Sequence, residues 1–179
     1  MSAIDIEVNA QMCQRRMYLY NGMSDDTFGP DTELFRAMVA TILYRQAGSP
    51  DVSGLGNPFK DVDEGAWYAD AVKWAYANGI VLGYGDGRFG VSDPVTNEQL
   101  AVLIYRTEQA SGLIPPSAGG VAIPDAGSVS AWAQEAVSAL SEQGVLSQLP
   151  DLGFDPGTPA TSANVASMLY MYLISISAG

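Results

Sequence analysis

The sequence predicts an all-α fold in which three helix-loop-helix repeats close around a pseudo-threefold three-helix core as one compact domain. Three observations lead there. The chain resembles itself at a spacing of about sixty residues, each matched block carries apolar residues at helical spacing, and one helix pair of this length cannot cover its own apolar stripe.

At an offset of 61 residues Phe28 falls on Phe89, Val39 on Leu100, Ile42 on Leu103, Leu43 on Ile104, Tyr44 on Tyr105 and Arg45 on Arg106. At 65, Trp67 falls on Trp132, Ala71 and Val72 on Ala136 and Val137, Gly79 on Gly144, Phe89 on Phe154, Leu100 on Val165 and Tyr105 on Tyr170. The repeats occupy residues 1–50, 57–112 and 121–179, the first with a truncated front half. That first copy admits two registers, with Gly22 opposite Gly79 or opposite Gly83.

In the second copy "WYADAVKWAYANG" spaces Trp67, Ala71, Trp74, Ala75 and Asn78 as a helix, and Gly79 is placed to end it in a left-handed conformation. "WAQEAVSALSEQG" repeats the pattern in the third. The later helix starts at Thr96 or Thr161, each suited to N-capping, and Gln99 three residues on completes a capping box in the second copy. The stripes of these later helices, Leu100, Leu103, Ile104 and Thr107, then Val165, Met168, Leu169 and Tyr172, must be covered by neighbouring copies. "GSPDVSGLGNP" and "SGLIPPSAGGVAIP" read as linkers.

Composition narrows the function. Hydrophobic residues form 47% of the 179, so the chain folds, and a net charge of -12 with eight Lys and Arg argues against nucleic acid and anionic membrane surfaces. No apolar run is long enough to insert in a membrane. The N-terminal "MSAIDIEVNAQMCQRRMYLY" has acidic residues where a signal peptide carries cations, so no export signal is expected in this chain, which can be a fragment of a longer exported protein. The single Cys13 has no internal disulfide partner and reads as a small apolar residue. The absence of histidine removes Ser-His-Asp and Cys-His triads and zinc sites with an imidazole ligand.

The loop "GYGDGRFG" lacks the Gly-Lys-Ser/Thr ending of a phosphate loop and the alternating acids and final Glu of an EF-hand loop. "DVDEG" at 61–65 starts like a dockerin calcium loop and stops. The glycine-rich loop therefore reads as a structural turn anchored by Phe89, and neither a metal nor a cofactor is expected. Trp67 and Trp132, at the starts of their first helices, suit either sugar stacking or half-buried packing. Arg45 and Arg106 end their helices, where a cation favours the dipole. Arg36 sits near a helix start, where a cation gains nothing from the helix and a ligand role becomes credible. The tyrosines Tyr18, Tyr20, Tyr44, Tyr76, Tyr105, Tyr170 and Tyr172 fit core and groove lining equally. No carboxylate pair is singled out by a motif, so no enzyme is expected.

"FKDVDEGAWYADAVKWAYANGIVLGYGDGRFGVSDPVTNEQLAVLIYR" resembles a complete S-layer homology repeat, with its Asp-Val lead, Trp, terminal Gly, "GYGDG" loop, Phe and Thr-initiated second helix. "SDDTFGPDTELFRAMVATILYRQAGSP" resembles the latter half of another. "IPDAGSVSAWAQEAVSALSEQGVLSQLPDLGFDPGTPATSANVASMLYMYL" resembles a third, more eroded one. The resemblance implies a non-catalytic module on the bacterial cell surface that binds an anionic, often pyruvylated, secondary cell-wall polysaccharide in grooves between repeats. Other domains of a larger surface protein are implied as further partners. The family's Thr-Arg-Ala-Glu motif reads Phe35-Arg36-Ala37-Met38, Thr96-Asn97-Glu98-Gln99 and Thr161-Ser162-Ala163-Asn164 here, so only Arg36 keeps the guanidinium. The glycan-binding set carried over is Arg36, Asn97 and Ser162, with Trp67, Trp132, Tyr84 and Asp86. A degenerate fold that serves a structural or protein-interaction role without sugar is the rival expectation.

Overall fold

The computed structural model describes residues 31–114, 126–146 and 154–177. Cys13, Tyr18, Tyr20, the Gly22 register, Phe28 and most of the second linker lie outside them. Among the described residues the α-helices are α1 (Arg36–Gln46), α2 (Ala69–Ala77), α3 (Asn97–Ser111), α4 (Gln134–Glu142) and α5 (Ser162–Ser177), with a short 3-10 turn at Ala126–Ser128. The fold is all-α. Extended pairing is confined, among these residues, to three isolated bridges.

Local chemistry sets the helix ends where the sequence places them. Thr96 accepts from the Gln99 N–H while the Gln99 side chain accepts from the Thr96 N–H, which is the expected capping box. Thr161 accepts from the Asn164 N–H at 3.3 Å. At the other end of α2, Gly79 has φ 71°, and the Gly79 and Ile80 N–H groups return to the Tyr76 and Ala75 carbonyls at 3.0 and 2.8 Å. Gly144 closes α4 the same way, its N–H going to Ser141 and that of Val145 to Leu140. The helix in "WYADAVKWAYANG" begins at Ala69, so Trp67 stands in the turn before it, not in its first turn.

The helices pair across repeat boundaries. α2 of the second copy packs on α1 of the first, and α4 of the third packs on α3 of the second, while α3 also touches α1 and α5. The stripe residues Leu100 and Ile104 are fully buried, as are Val39 and Val165 opposite Leu100, and Ile42 and Met168 opposite Leu103. Each such side chain contributes about 1.5–3 kcal/mol by leaving water.

Closure is visible in the backbone. The segments preceding α1, α3 and α5 meet in a ring. Leu34 donates its N–H to the Ala160 carbonyl (3.1 Å), Ala160 to Val95 (2.6 Å) and Val95 back to Leu34 (3.0 Å). A second ring lies just outside it, with Arg36 donating to Asp93 (3.0 Å), Asn97 to Thr158 (3.0 Å) and Ser162 to Thr32 (2.8 Å). Every copy thus supplies a helix N-terminus to one neighbour and carbonyls to the other, the arrangement a pseudo-threefold axis requires. The first N–H groups of these helices, which no helix can satisfy internally, are met by the adjacent loop.

Candidate functional site

The outer ring fixes the backbone of the three motif positions identically, and their side chains then diverge. Arg36 leads α1 and lies partly buried against the loop of the second copy. Its Nε donates to the Phe89 carbonyl at 2.8 Å. The guanidinium carbon stands 5.0 Å from the centre of the Tyr84 ring and 4.9 Å from that of Phe89, within cation–π range. Among the described residues its two terminal nitrogens have no hydrogen-bond or ion-pair partner. Burial pulls its pKa below the ordinary arginine value, and Tyr84, Asp93 and Asp61 oppose that fall. An arginine so placed stays charged.

The loop facing it is built on glycine. Gly90 has φ 81°, and a Cβ there would stand 2.5 Å from Tyr84 Cε2 and 2.6 Å from Asp93 Oδ2. That close approach lets the Tyr84 hydroxyl donate to Asp93 Oδ2 at 2.9 Å, which fixes the ring under Arg36 while 46% of the residue remains exposed. Burial first, then the Asp93 hydrogen bond, raises the Tyr84 pKa, so the phenol is neutral. Asp61 accepts from the Phe89 and Gly90 N–H groups at 2.7 and 2.8 Å. Burial works against its charge, but these donors outweigh burial and hold its pKa below the usual carboxylate value. The carboxylate reserved by "DVDEG" for a loop role therefore orders the turn through backbone amides.

Asp86 is exposed and turned inward on its own loop, accepting from the Arg88 N–H (2.9 Å) and Arg88 Nε (2.8 Å), while its carbonyl accepts from Lys60 Nζ (2.9 Å). Asn97 is 4% exposed. It donates from Nδ2 to the Asp155 carbonyl and accepts at Oδ1 from Asn164 Nδ2, both at 2.9 Å. Ser162, also 4% exposed, donates from Oγ to the Thr32 carbonyl at 3.3 Å. Trp67 and Trp132 are 48% and 56% exposed. The Trp67 ring stands edge-on to Tyr68 at 5.2 Å. Among the described residues no hydrogen bond, ring contact or cation–π contact joins either tryptophan to Arg36.

The structure therefore brings Arg36 and Tyr84 together, sets Asp86 on the same loop, and places Asn97 and Ser162 in the seams of the other copies. Asp61, Asp93 and the Phe89 carbonyl were missed from sequence. The signal available for Asp61 was its place in the Asp-Val lead; for Asp93 there was only its distance from Tyr84 along one loop. Arg106 donates from Nη1 to the Ile80 carbonyl at 3.4 Å, in keeping with a structural part. Among the described residues no group of three metal-ligating side chains forms, and no helix is long and apolar enough to cross a membrane.

The pattern of the S-layer homology domain matches residues 58–101 and 122–161. The chain is 29% identical over 155 residues to an amylopullulanase of Thermoanaerobacterium thermosulfurigenes, an alignment covering 86% of this chain and 8% of that protein. It is 30% identical over 150 residues to cell surface glycoprotein 1 of Acetivibrio thermocellus, covering 80% of this chain and 6% of the relative. A cellulosome-anchoring protein of the same organism is 25% identical over 151 residues, covering 83% and 34%. The chain thus spans a minor part of each of these relatives.

Proposed function

Since the chain belongs to the S-layer homology family, we propose that it is a non-catalytic anchoring module of the bacterial cell surface, holding an attached protein by binding an anionic secondary cell-wall polysaccharide in the Arg36 groove. The observation that carries this reading is the Arg36 guanidinium. Nε and the backbone N–H are committed to the second copy, and the terminal nitrogens are left for a ligand. That fork matches a carboxylate, such as that of a pyruvate ketal, in a bidentate pair, and a charge-assisted contact of this kind contributes about 1.5–3 kcal/mol. Tyr84 offers an exposed aromatic face beside it.

The names of the relatives support an anchoring role: one is a cell surface glycoprotein and another a cellulosome-anchoring protein. The amylopullulanase is matched over 8% of its length, which fits an accessory module better than shared catalysis. Because the chain carries a charge of -12, long-range attraction to a polyanion is unfavourable, and binding depends on the local cation and on shape. The test is retention on purified sacculi with and without their secondary polysaccharide. Retention is expected only on the former, and equal retention on both contradicts the proposal.

A second reading draws on the other two motif positions. Asn97 and Ser162 are buried and engaged within the protein, as in repeats that keep the fold for structure or protein contact alone. It gains if Arg36→Ala leaves wall retention unchanged.

A further inference from the structure

We infer that Arg88 is a second ligand-contacting cation of the Arg36 groove, and that the groove selects a glycan segment bearing two acid groups close together over one bearing a single charge. The inference rests on the anchoring reading above and adds a residue and a charge requirement to it.

Three observations converge on Arg88. Its guanidinium carbon lies 5.7 Å from the centre of the same Tyr84 ring that Arg36 approaches to 5.0 Å, so one exposed tyrosine has two guanidinium neighbours. Both arginines feel the same two carboxylates, Asp61 and Asp93, which puts them at one mouth. Asp86 then holds Arg88 in place from within the loop, through the backbone N–H and Nε, and the terminal nitrogens carry no partner among the described residues. The arrangement repeats that of Arg36, in which Nε is used to orient the fork and the fork is left open.

An ion pair made only for stability would not need this setting. Exposed pairs such as Arg88–Asp86 contribute little to folding, since solvent screens them. Lys60 reaches the Asp86 carbonyl on the same loop, so three of the chain's eight cations contact the loop that carries Tyr84, two of them over its ring. In a chain this acidic, that concentration gives a polyanion a local place to bind. Asp61 and Asp93 are already engaged by backbone amides and by the Tyr84 hydroxyl, which leaves the guanidinium groups for the ligand. Two cations beside one ring favour acids carried on the same or adjacent sugars.

The experiment uses the full chain and sacculi that carry their acidic polysaccharide, with a parallel set whose carboxyl groups have been amidated. Binding is titrated across salt for wild type, Arg36→Ala, Arg88→Ala and Arg88→Lys, and thermal unfolding is recorded for each. Arg88→Ala is expected to weaken binding roughly tenfold, to lower the salt dependence by about one ion, and to leave the unfolding midpoint unchanged. Arg88→Lys should restore the salt dependence and part of the affinity. Arg88→Ala binding as tightly as wild type, while Arg36→Ala fails, overturns the second-cation inference and leaves the anchoring reading intact. Wild type bound equally to native and amidated sacculi overturns both.

Discussion

Around Arg36 and around Asn97 the backbone is the same. Each residue opens a core helix, each donates its N–H to a neighbouring copy at 3.0 Å, and the next N–H goes to a loop carbonyl as well, Ala37 to Val91 and Glu98 to Pro156. The side chains separate the two grooves. In the first, a half-buried arginine spans Tyr84 and Phe89 with two nitrogens open; in the second, an asparagine is sealed between Asp155 and Asn164. Asp155, one residue past the matched Phe154, spends its own carboxylate on the Gly157 N–H and the Thr158 hydroxyl. Backbone amides therefore close the ring in all three copies, and the motif side chain is left to serve either a ligand or the seam.

The change expected to damage the first groove most is Gly90→Ala. A residue with a Cβ at φ 81° costs roughly 1–2 kcal/mol, and the added carbon meets Tyr84 and Asp93, for which overpacking adds about 1–3 kcal/mol. Both the unfolding midpoint and wall binding should fall; a variant with wild-type values in both would show that the loop does not depend on this glycine. Arg36→Ala comes next and acts on binding: a loss of about 1.5–3 kcal/mol in affinity is expected, read as at least a tenfold weaker retention on polysaccharide-bearing sacculi. Its circular dichroism spectrum should match wild type, because the ring bond at position 36 comes from the backbone.

Much of this architecture was legible in the residues. The 61 and 65 offsets place Phe35-Arg36, Thr96-Asn97 and Thr161-Ser162 in register, and the ring hydrogen bonds keep that register atom for atom. The capping box at Thr96 and the left-handed Gly79 and Gly144 follow from local chemistry and needed no tertiary knowledge. Partner choice was not legible. Apolar stripes say that a helix must be covered, but not that α2 covers the preceding copy's helix instead of its own. The site was read in part for the same reason. Arg36 stood out by residue type, whereas Asp61 and Asp93 act through distances between segments that a linear pattern does not encode. The exposed tryptophans illustrate the converse, since their type suited either a sugar platform or half-buried packing, and their turns make no contact with Arg36 among the described residues.

Asn97→Ala reverses the pattern expected of Arg36→Ala. Removing the buried amide leaves the Asp155 carbonyl and the Asn164 Nδ2 without their partner, at a cost of about 1–3 kcal/mol in stability. Binding to sacculi should be unchanged under conditions where the variant is folded. Chemical denaturation separates the two effects: a shift of midpoint at constant affinity for Asn97→Ala, against an affinity that stays lost for Arg36→Ala under conditions where the variant is fully folded, whatever midpoint shift follows from losing the Phe89 hydrogen bond and the ring contacts. If Asn97→Ala weakened binding without unfolding, the second groove would be a sugar site after all.

The smallest expected effect concerns the helix pairs behind the grooves. At the 61-residue offset Glu108 falls on Ala47, so the α3/α4 pair buries a carboxyl where the first pair has none. Glu108 is 0% exposed and accepts at Oε2 from Gln143 Nε2 at 3.2 Å, while its Oε1 and the Gln143 Oε1 have no partner. Tyr105 and Tyr172 are the titratable groups that feel its charge, which raises the pKa of both phenols, and no cation faces it among the described residues. Burial pushes its pKa up from 4.5 to about 7, against a smaller lowering by Gln143. Between those two values the folded chain holds a proton that the unfolded chain has released. This contribution to stability is therefore complete below pH 4.5, declines as pH rises through about 7, and is flat above. After discounting for relaxation around the charge, the decline is on the order of 1–2 kcal/mol. Glu108→Gln, neutral throughout, should match wild type near pH 4.5 and exceed it in unfolding midpoint at pH 8. A midpoint difference that does not vary with pH would mean that the carboxyl titrates at the same pH in the folded and unfolded chains, and burial in the α3/α4 pair would then not shift it.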